Sequence, residues 1–420
     1  MSRVAGLILL LLSLLGLALS LWTVVPAPTF ALLPLGVGAP EISPLLLLVN
    51  GLLALDAIAL FALSRRPSVR RMTRSAIALF LMSLLLSSIP LLQLPGAVRQ
   101  ANQAMQAALG DTYDLPGNSA QSGRSRPFVF SDLMFGIPIA AEVAAESIEY
   151  AAADGTPLRL VKYQPVKYQP VKYRPVKYQP VKYRPVAPAE NRGAIAAIYG
   201  GAWRSGDADE NAHFNRYLAA QGYTVIALDY RHAPEHPFPA QLQDVQLGLR
   251  LIRQRAAEWG FEGDRLALIG WSAGAHLATL AAFQPDAVPV RAIVSYYGPV
   301  DLTEGYRSPP RPDPIDTRAV LEDFLNGPPD TRPADYRAAS PITYVRPGLP
   351  PALLIYGDRD HIVKPEFGQR LHQQLVAHQN TAALIRLPWA EHAFDAVFRG
   401  IGNQIALYHV ERFLDWAIAQ

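Results

Sequence analysis

Hydrophobic positions are distributed unevenly along the chain. Before about Leu94 they run almost without a break: Val4 to Val25, Pro44 to Leu63 and Ser75 to Leu94 are apolar stretches of about the 20 residues a helix needs to cross a bilayer. Beyond Gly193 the apolar residues fall instead into short runs: Ala194 to Tyr199, Thr224 to Leu228, Leu266 to Ile269, Ala292 to Ser295, Ala352 to Tyr356 and Ala382 to Leu387. None alternates with polar residues, which is expected of parallel strands covered on both faces. Helical segments such as Ala240 to Trp259 lie between them. The order strand, helix, strand, helix predicts a mostly parallel, doubly wound α/β domain.

The three apolar stretches predict transmembrane helices over about 4–25, 44–63 and 75–94, and an anchor spanning 1–95. A cleaved leader is the competing reading of the first stretch, because Arg3 precedes it and small residues follow at Pro26 to Ala31. The two further stretches favour three spans. The loop Arg65 to Arg74 holds five arginines, whereas Pro26 to Ser43 holds no basic residue and one acid, Glu41. By the positive-inside rule, everything after the third span lies outside the cytoplasm. The expectation is an integral protein of the plasma membrane with an extracytoplasmic C-terminal domain. Within the second stretch, Asn50 and Asp56 are costly to insert, and Asp56 reads as an interior residue bonded to a neighbouring helix. Pro90 predicts a kink in the third.

Gly96 to Leu109 has helical composition, and Gly110 to Pro127 is rich in Gly, Ser and Asp. A short helix and a linker are expected over 96–127, leaving 128–420 as the α/β domain. Five tandem copies of Val-Lys-Tyr-Gln/Arg-Pro occupy 161–185. Proline at every fifth position excludes continuous helix or central strand, so the repeat reads as extended and exposed. Its first or last copy is a candidate edge strand, since Leu158 to Tyr163 alternates. The repeat is either a tolerated insertion or a basic, aromatic arm for anionic lipid or wall polymer.

Charge narrows the classes further. The formal net charge is +3, and the repeat alone contributes +7, so the remainder sums to −4. No general nucleic-acid surface is indicated. Cysteine is absent, which excludes disulfides, thiol catalysis and cysteine-ligated zinc. Nothing calls for a metal or cofactor.

The chemistry concentrates at strand ends. Gly270-Trp271-Ser272-Ala273-Gly274 follows an apolar run and opens the helical segment Ala275 to Phe283. A serine flanked by small residues between strand and helix is the pattern of a nucleophile elbow. Tyr199-Gly200-Gly201-Ala202-Trp203 follows the first strand, where glycines would let backbone N–H groups face a pocket as oxyanion donors, together with Ala273. Gly357-Asp358-Arg359-Asp360 and Glu391-His392 follow the last two strands. The chain order Ser, Asp, His is that of a serine hydrolase of this architecture, with either Asp358 or Asp360 as the acid. His232, His236 and His276 read as packing residues.

These motifs, with Asp229-Tyr230-Arg231-His232-Ala233-Pro234-Glu235-His236-Pro237-Phe238-Pro239-Ala240 and then Asp244, resemble the α/β-hydrolases of the hormone-sensitive-lipase-like carboxylesterase group. The resemblance runs from about Asp154 to the C-terminus, interrupted by the repeat. It implies an α/β-hydrolase fold, Ser272 as nucleophile, His392 as base, and Asp360 as acid with Val363 three positions later. Gly200, Gly201 and Ala273 would form the oxyanion hole. Three positions depart from the pattern: Tyr199 stands where the group usually has histidine, Ala202 where a third glycine is common, and Trp271 where many members have aspartate. Tyr199, Ala202, Trp203 and Trp271 are the candidate pocket residues, and 299–351 is a candidate cap to which 110–146 would contribute. The implied activity is hydrolysis of a small-molecule carboxylic ester. An amidase, peptidase or carbohydrate deacetylase on the same residues, or a non-catalytic ligand sensor, are the alternatives.

Overall fold

The computed structural model describes residues 2–110, 123–139, 141–166 and 192–419. Four helices come first: α1 (Ser2–Leu21), α2 (Leu33–Glu41), α3 (Ser43–Leu63) and α4 (Pro67–Leu109). All but α2 are long and apolar enough to cross a membrane. They pack through small and polar residues, as helices do where apolar side chains gain nothing by leaving lipid. Ser20 and Ser87 share a hydrogen bond of 2.9 Å, and Asn50 Nδ2 donates to Ser20 Oγ at 3.4 Å. Gly16 makes room for this contact, since a Cβ there would lie 2.2 Å from Asn50 Oδ1. Asp56 does not join it. Six residues beyond Asn50, about 240° around the helix, it is exposed on the outer face, contrary to the interior position expected.

The third apolar stretch and the helix expected after it are one continuous element, α4, which passes through Pro90, Pro95 and Gly96. Two physical causes are visible. Pro90 has no N–H for the Leu86 carbonyl, and Thr23 Oγ1 donates to that carbonyl instead at 3.2 Å. Further on, Ala97, Ala101, Met105 and Leu109 recur at helical spacing and are buried in the core of the C-terminal domain, which outweighs the propensity cost of the breakers.

That domain contains α5 (Phe130–Phe135), β1 (Val143–Ala151), β2 (Pro157–Pro165), β3 (Ala194–Ile198), α6 (Ala212–Ala220), β4 (Thr224–Leu228), α7 (Ala240–Gln254), β5 (Leu266–Trp271), α8 (Ala273–Phe283) and β6 (Ala292–Tyr296). There follow α9 (Leu302–Arg307), α10 (Thr317–Leu325), α11 (Pro333–Ala338), β7 (Ala352–Gly357), α12 (Glu366–Ala377), β8 (Ala382–Leu387) and α13 (Ile401–Ala419). The eight strands form one sheet in the order β1-β2-β4-β3-β5-β6-β7-β8. β1 and β2 are antiparallel to their neighbours and the rest are parallel. Every residue of β3, β4, β5, β6 and β7 is buried, as their unbroken apolar runs require.

The first repeat copy completes β2, but β2 is not the edge. β1 pairs along its whole length, from Val143 opposite Pro165 to Ala151 opposite Pro157, and so covers it. Pro165, lacking a donor, ends the strand. The later copies, from 167 on, lie outside the described residues. At the other end of the sheet, Gln100 of α4 closes the edge of β8: its Nε2 donates to the Leu384 carbonyl at 2.9 Å and its Oε1 accepts from Arg386 N at 3.1 Å. A side-chain amide here takes the place of a ninth strand, protecting an edge that would otherwise template pairing.

Candidate active site

Ser272 stands between β5 and α8 with φ +52°, a conformation that strains any side chain. Its neighbours show why they are small. A Cβ on Gly270 would lie 2.4 Å from the Gly274 carbonyl, and one on Gly274 would lie 2.0 Å from that of Ile198. Ser272 N donates to the Tyr296 carbonyl at 3.0 Å, fixing the turn against β6. The hydroxyl is thereby lifted above the C-terminal ends of the strands.

His392 Nε2 lies 2.9 Å from Ser272 Oγ although 120 residues separate them. Its Nδ1 lies 2.7 Å from Asp360 Oδ2. Asp360 Oδ1 accepts two backbone N–H groups, from Ile362 at 2.8 Å and Val363 at 2.7 Å. Burial raises the Asp360 carboxyl above its ordinary pKa, and the His392 contact opposes that rise. Asp358, the other candidate acid, pairs with Arg386 at 2.7 Å and takes no part in this chain of contacts.

Gly200 lies directly against the serine, since a Cβ on it would be 3.1 Å from Ser272 Cβ and 2.9 Å from the Trp271 carbonyl. Gly201 has φ +125°, and its Cβ would be 2.1 Å from the Ser205 carbonyl. Ala273 is the first residue of α8, so its N–H is among those a helix leaves without an internal acceptor. Gly200 and Ala273 thus adjoin Ser272, and Gly201 follows Gly200 in the chain.

The description BD-FAE belongs to the family model that matches residues 183–375. The chain is 30% identical over 231 residues to the protein named Probable carboxylic ester hydrolase LipM of Mycobacterium tuberculosis, covering 52% of each chain. It is 30% identical over 224 residues to Esterase LipC of the same organism, covering 50% of this chain and 54% of that one. The chain therefore spans about half the length of the curated relatives it matches. Among solved structures, the hyperthermophilic esterase of Pyrobaculum calidifontis superposes with a TM-score of 0.54 at 23% identity, covering 65% of this chain and 85% of that one. The C-terminal domain has an α/β-hydrolase fold.

Within this hydrolase domain the candidate pocket residues divide. Tyr199 is buried, stacked on Tyr230 with its hydroxyl 2.9 Å from His232 Nε2. Trp203 stacks on Phe324 of α10 and donates to His276 Nδ1 at 3.1 Å. Trp271 is sandwiched by Tyr296 and Phe214. All three are wall and core; Ala202 alone is partly open, with φ +54°. His276 is fully buried between Trp203 and the Ala339 carbonyl, and burial lowers its pKa to about 4. Arg231 holds Asp244 through two guanidinium bonds of 2.8 Å and binds Asp154, pinning the proline-rich loop to the first turns of α7. A cleft of about 450 Å³ opens beside Asp360, lined by His361, Lys364 and Phe367. Neither Ser272 nor His392 lines it.

Four groups escaped the sequence reading. The Tyr297 ring lies 4.4 Å from that of His392, and its hydroxyl donates to Asp395, whose pKa burial pushes up to about 6. Asp395 lies three residues past His392, a spacing that would have flagged it. Glu391 Oε1 accepts from the backbone of both His361 and His392 while Oε2 binds His361 Nδ1 at 2.6 Å, tying the Asp360 loop to the His392 loop. The fourth is Glu41. It comes from α2, is fully buried, and accepts from Trp389 Nε1 at 3.2 Å and Gly402 N at 2.7 Å. It thereby clamps both ends of the segment that carries His392. No local pattern marks such a residue.

Proposed function

We propose that the chain is a membrane-anchored serine carboxylesterase that cleaves small carboxylic esters through an acyl-enzyme. The observation that carries this reading is the continuous hydrogen-bonded series from Asp360 through His392 to Ser272. Asp360, held by two backbone donors, keeps a proton on His392 Nδ1 and leaves Nε2 free to accept. Ser272 Oγ attacks the ester carbonyl carbon while Nε2 takes its proton. The carbonyl oxygen becomes an oxyanion, received by the N–H groups of Gly200, Gly201 and Ala273. Collapse breaks the bond to the alcohol oxygen, which leaves with the proton from Nε2. Water, deprotonated by the same nitrogen, then attacks the acyl-serine and releases the acid.

The helices support an extracytoplasmic position for the C-terminal domain. Arg65 and Arg66 sit just past the end of α3, about 30 Å along that helix from the Ser43 end that meets the hydrolase domain. With the arginines in the cytoplasm, that domain is outside. The test is p-nitrophenyl acetate hydrolysis by the purified full chain: Ser272→Ala abolishes it under this reading, and an unchanged rate contradicts it.

A further inference from the structure

The rim of the sheet that bears Ser272, Asp360 and His392 is also the rim that meets the anchor. Arg359, two residues past β7, donates to the carbonyl of Thr23, two residues past α1. Trp389, two residues past β8, and Gly402, at the start of α13, both donate to Glu41, two residues before α3. Ile362 and Val397 pack on Ala27, Leu33 and Val37 of the connection between α1 and α3. Leu45, in the first turn of α3, packs against the hydrolase core. With α1 and α3 as spans, their ends mark the bilayer surface, and the catalytic rim lies at that surface.

A second observation comes from the exposed side chains. Among the described residues after 110, six large hydrophobics are exposed: Phe130, Met134, Phe135, Ile139, Val166 and Val376. Four of the six belong to α5 and the few residues after it, and Phe135 is 85% exposed. The one charge in α5, Asp132, is neutralised by Arg124 at 2.9 Å. This segment descends α13 towards the anchor. Arg124 N binds Glu411, Val129 N binds Gln404, and the Met134 carbonyl accepts from Arg399, just before the residues that meet Glu41. The apolar cluster therefore ends on the same side of the domain as the spans.

We propose that α5 is an interfacial element: its Phe130, Met134, Phe135 and Ile139 enter the headgroup–acyl boundary beside the spans, seating the catalytic rim against the bilayer. An exposed apolar cluster that ends on the side of the spans, with the Arg399 cation beside it at the Met134 carbonyl, suits that boundary and its anionic headgroups. The consequence for chemistry, which rests on the esterase reading, is that the substrate is an amphiphilic ester taken from the membrane.

The chain has no cysteine, so Phe135→Cys supplies a single attachment point for a bimane fluorophore on the full chain in phosphatidylcholine–phosphatidylglycerol nanodiscs. Doxyl-labelled lipid quenches the fluorophore and aqueous iodide does not, if the seating is right. Quenching by iodide alone overturns it, and so does protection from both quenchers, which would mean that a second copy covers the cluster. In the same nanodiscs, Met134→Ser/Phe135→Ser lowers kcat/KM for dissolved diacylglycerol by about tenfold and leaves that for p-nitrophenyl acetate unchanged. Equal loss on both esters overturns the substrate claim. A wild-type chain active on p-nitrophenyl acetate but not on diacylglycerol overturns the substrate claim, and one inactive on both esters refutes the esterase reading, while quenching still decides the seating.

Discussion

Replacing Asp360 by asparagine poses a choice that the geometry makes costly in either direction. Oδ1 accepts from Ile362 N and Val363 N. If the amide oxygen stays there, the amide NH2 faces His392 Nδ1, the imidazole must carry its proton on Nε2, and Ser272 loses its base. If the amide flips, two buried N–H donors meet an NH2, at about 1–3 kcal/mol each. The wrong tautomer costs about 10⁴ in rate where it has been measured in other enzymes, or roughly 5 kcal/mol. The cheaper route governs. A midpoint flip penalty of about 4 kcal/mol sets the loss in kcat on the order of 10³. The assay is p-nitrophenyl acetate hydrolysis at pH 8, with thermal unfolding as a check on the fold and Asp358→Asn as the control. The Asp358 carboxylate pairs with the partly exposed Arg386, and its backbone N donates to the Leu387 carbonyl whatever the side chain, so the control should keep nearly full activity. A loss under about tenfold for Asp360→Asn, or an equal loss in the control, refutes the reasoning.

Glu41→Ala strands two buried donors, Trp389 Nε1 and Gly402 N, and should cost about 2–4 kcal/mol, read as a fall in Tm of the detergent-purified chain; an unchanged Tm would show that the clamp carries no stability. Burial raises Glu41 to about 8 from 4.5, so the folded chain retains a proton that the unfolded chain releases. Its stabilisation is complete below about pH 4.5 and is lost as pH rises through about 8. Tm of the wild type should therefore decline from pH 5 to 9 more steeply than that of Glu41→Gln; parallel curves contradict the shift. Gln100→Ala exposes the edge of β8, and hydrogen exchange at Arg386 N should quicken by about tenfold; unaltered protection would mean that another group covers the edge.

What could be read from sequence depended on the range of the forces involved. The strands of the hydrolase domain were legible because burial on both faces leaves an unbroken apolar run, as in Leu266 to Ile269. The elbow was legible because its sterics are local: Gly270 and Gly274 are small on account of atoms within the same turn and the adjoining strand. The helix α4 was not, since Pro90, Pro95 and Gly96 are breakers by every local rule. Their cost is offset by Thr23 and by packing on a domain that begins far along the chain. Asp56 was misplaced because depth in the span was weighed without rotation about its axis. Trp203, Trp271 and Tyr199 sit in aromatic stacks whose partners, Phe324, Tyr296 and Tyr230, are distant or unremarkable in sequence. Glu41 was legible only as a charge in a loop, and its role depends on Trp389 and Gly402, more than 340 residues away.

The central claim is that Ser272 is an activated nucleophile. Treating the full chain with a fluorophosphonate probe and mapping the adduct by mass spectrometry tests it without any assumption about substrate. The account predicts a single adduct on the peptide containing Ser272, lost in Ser272→Ala and in His392→Ala while both variants unfold at wild-type temperature. Labelling that persists in folded Ser272→Ala, or that falls on another residue, would contradict it.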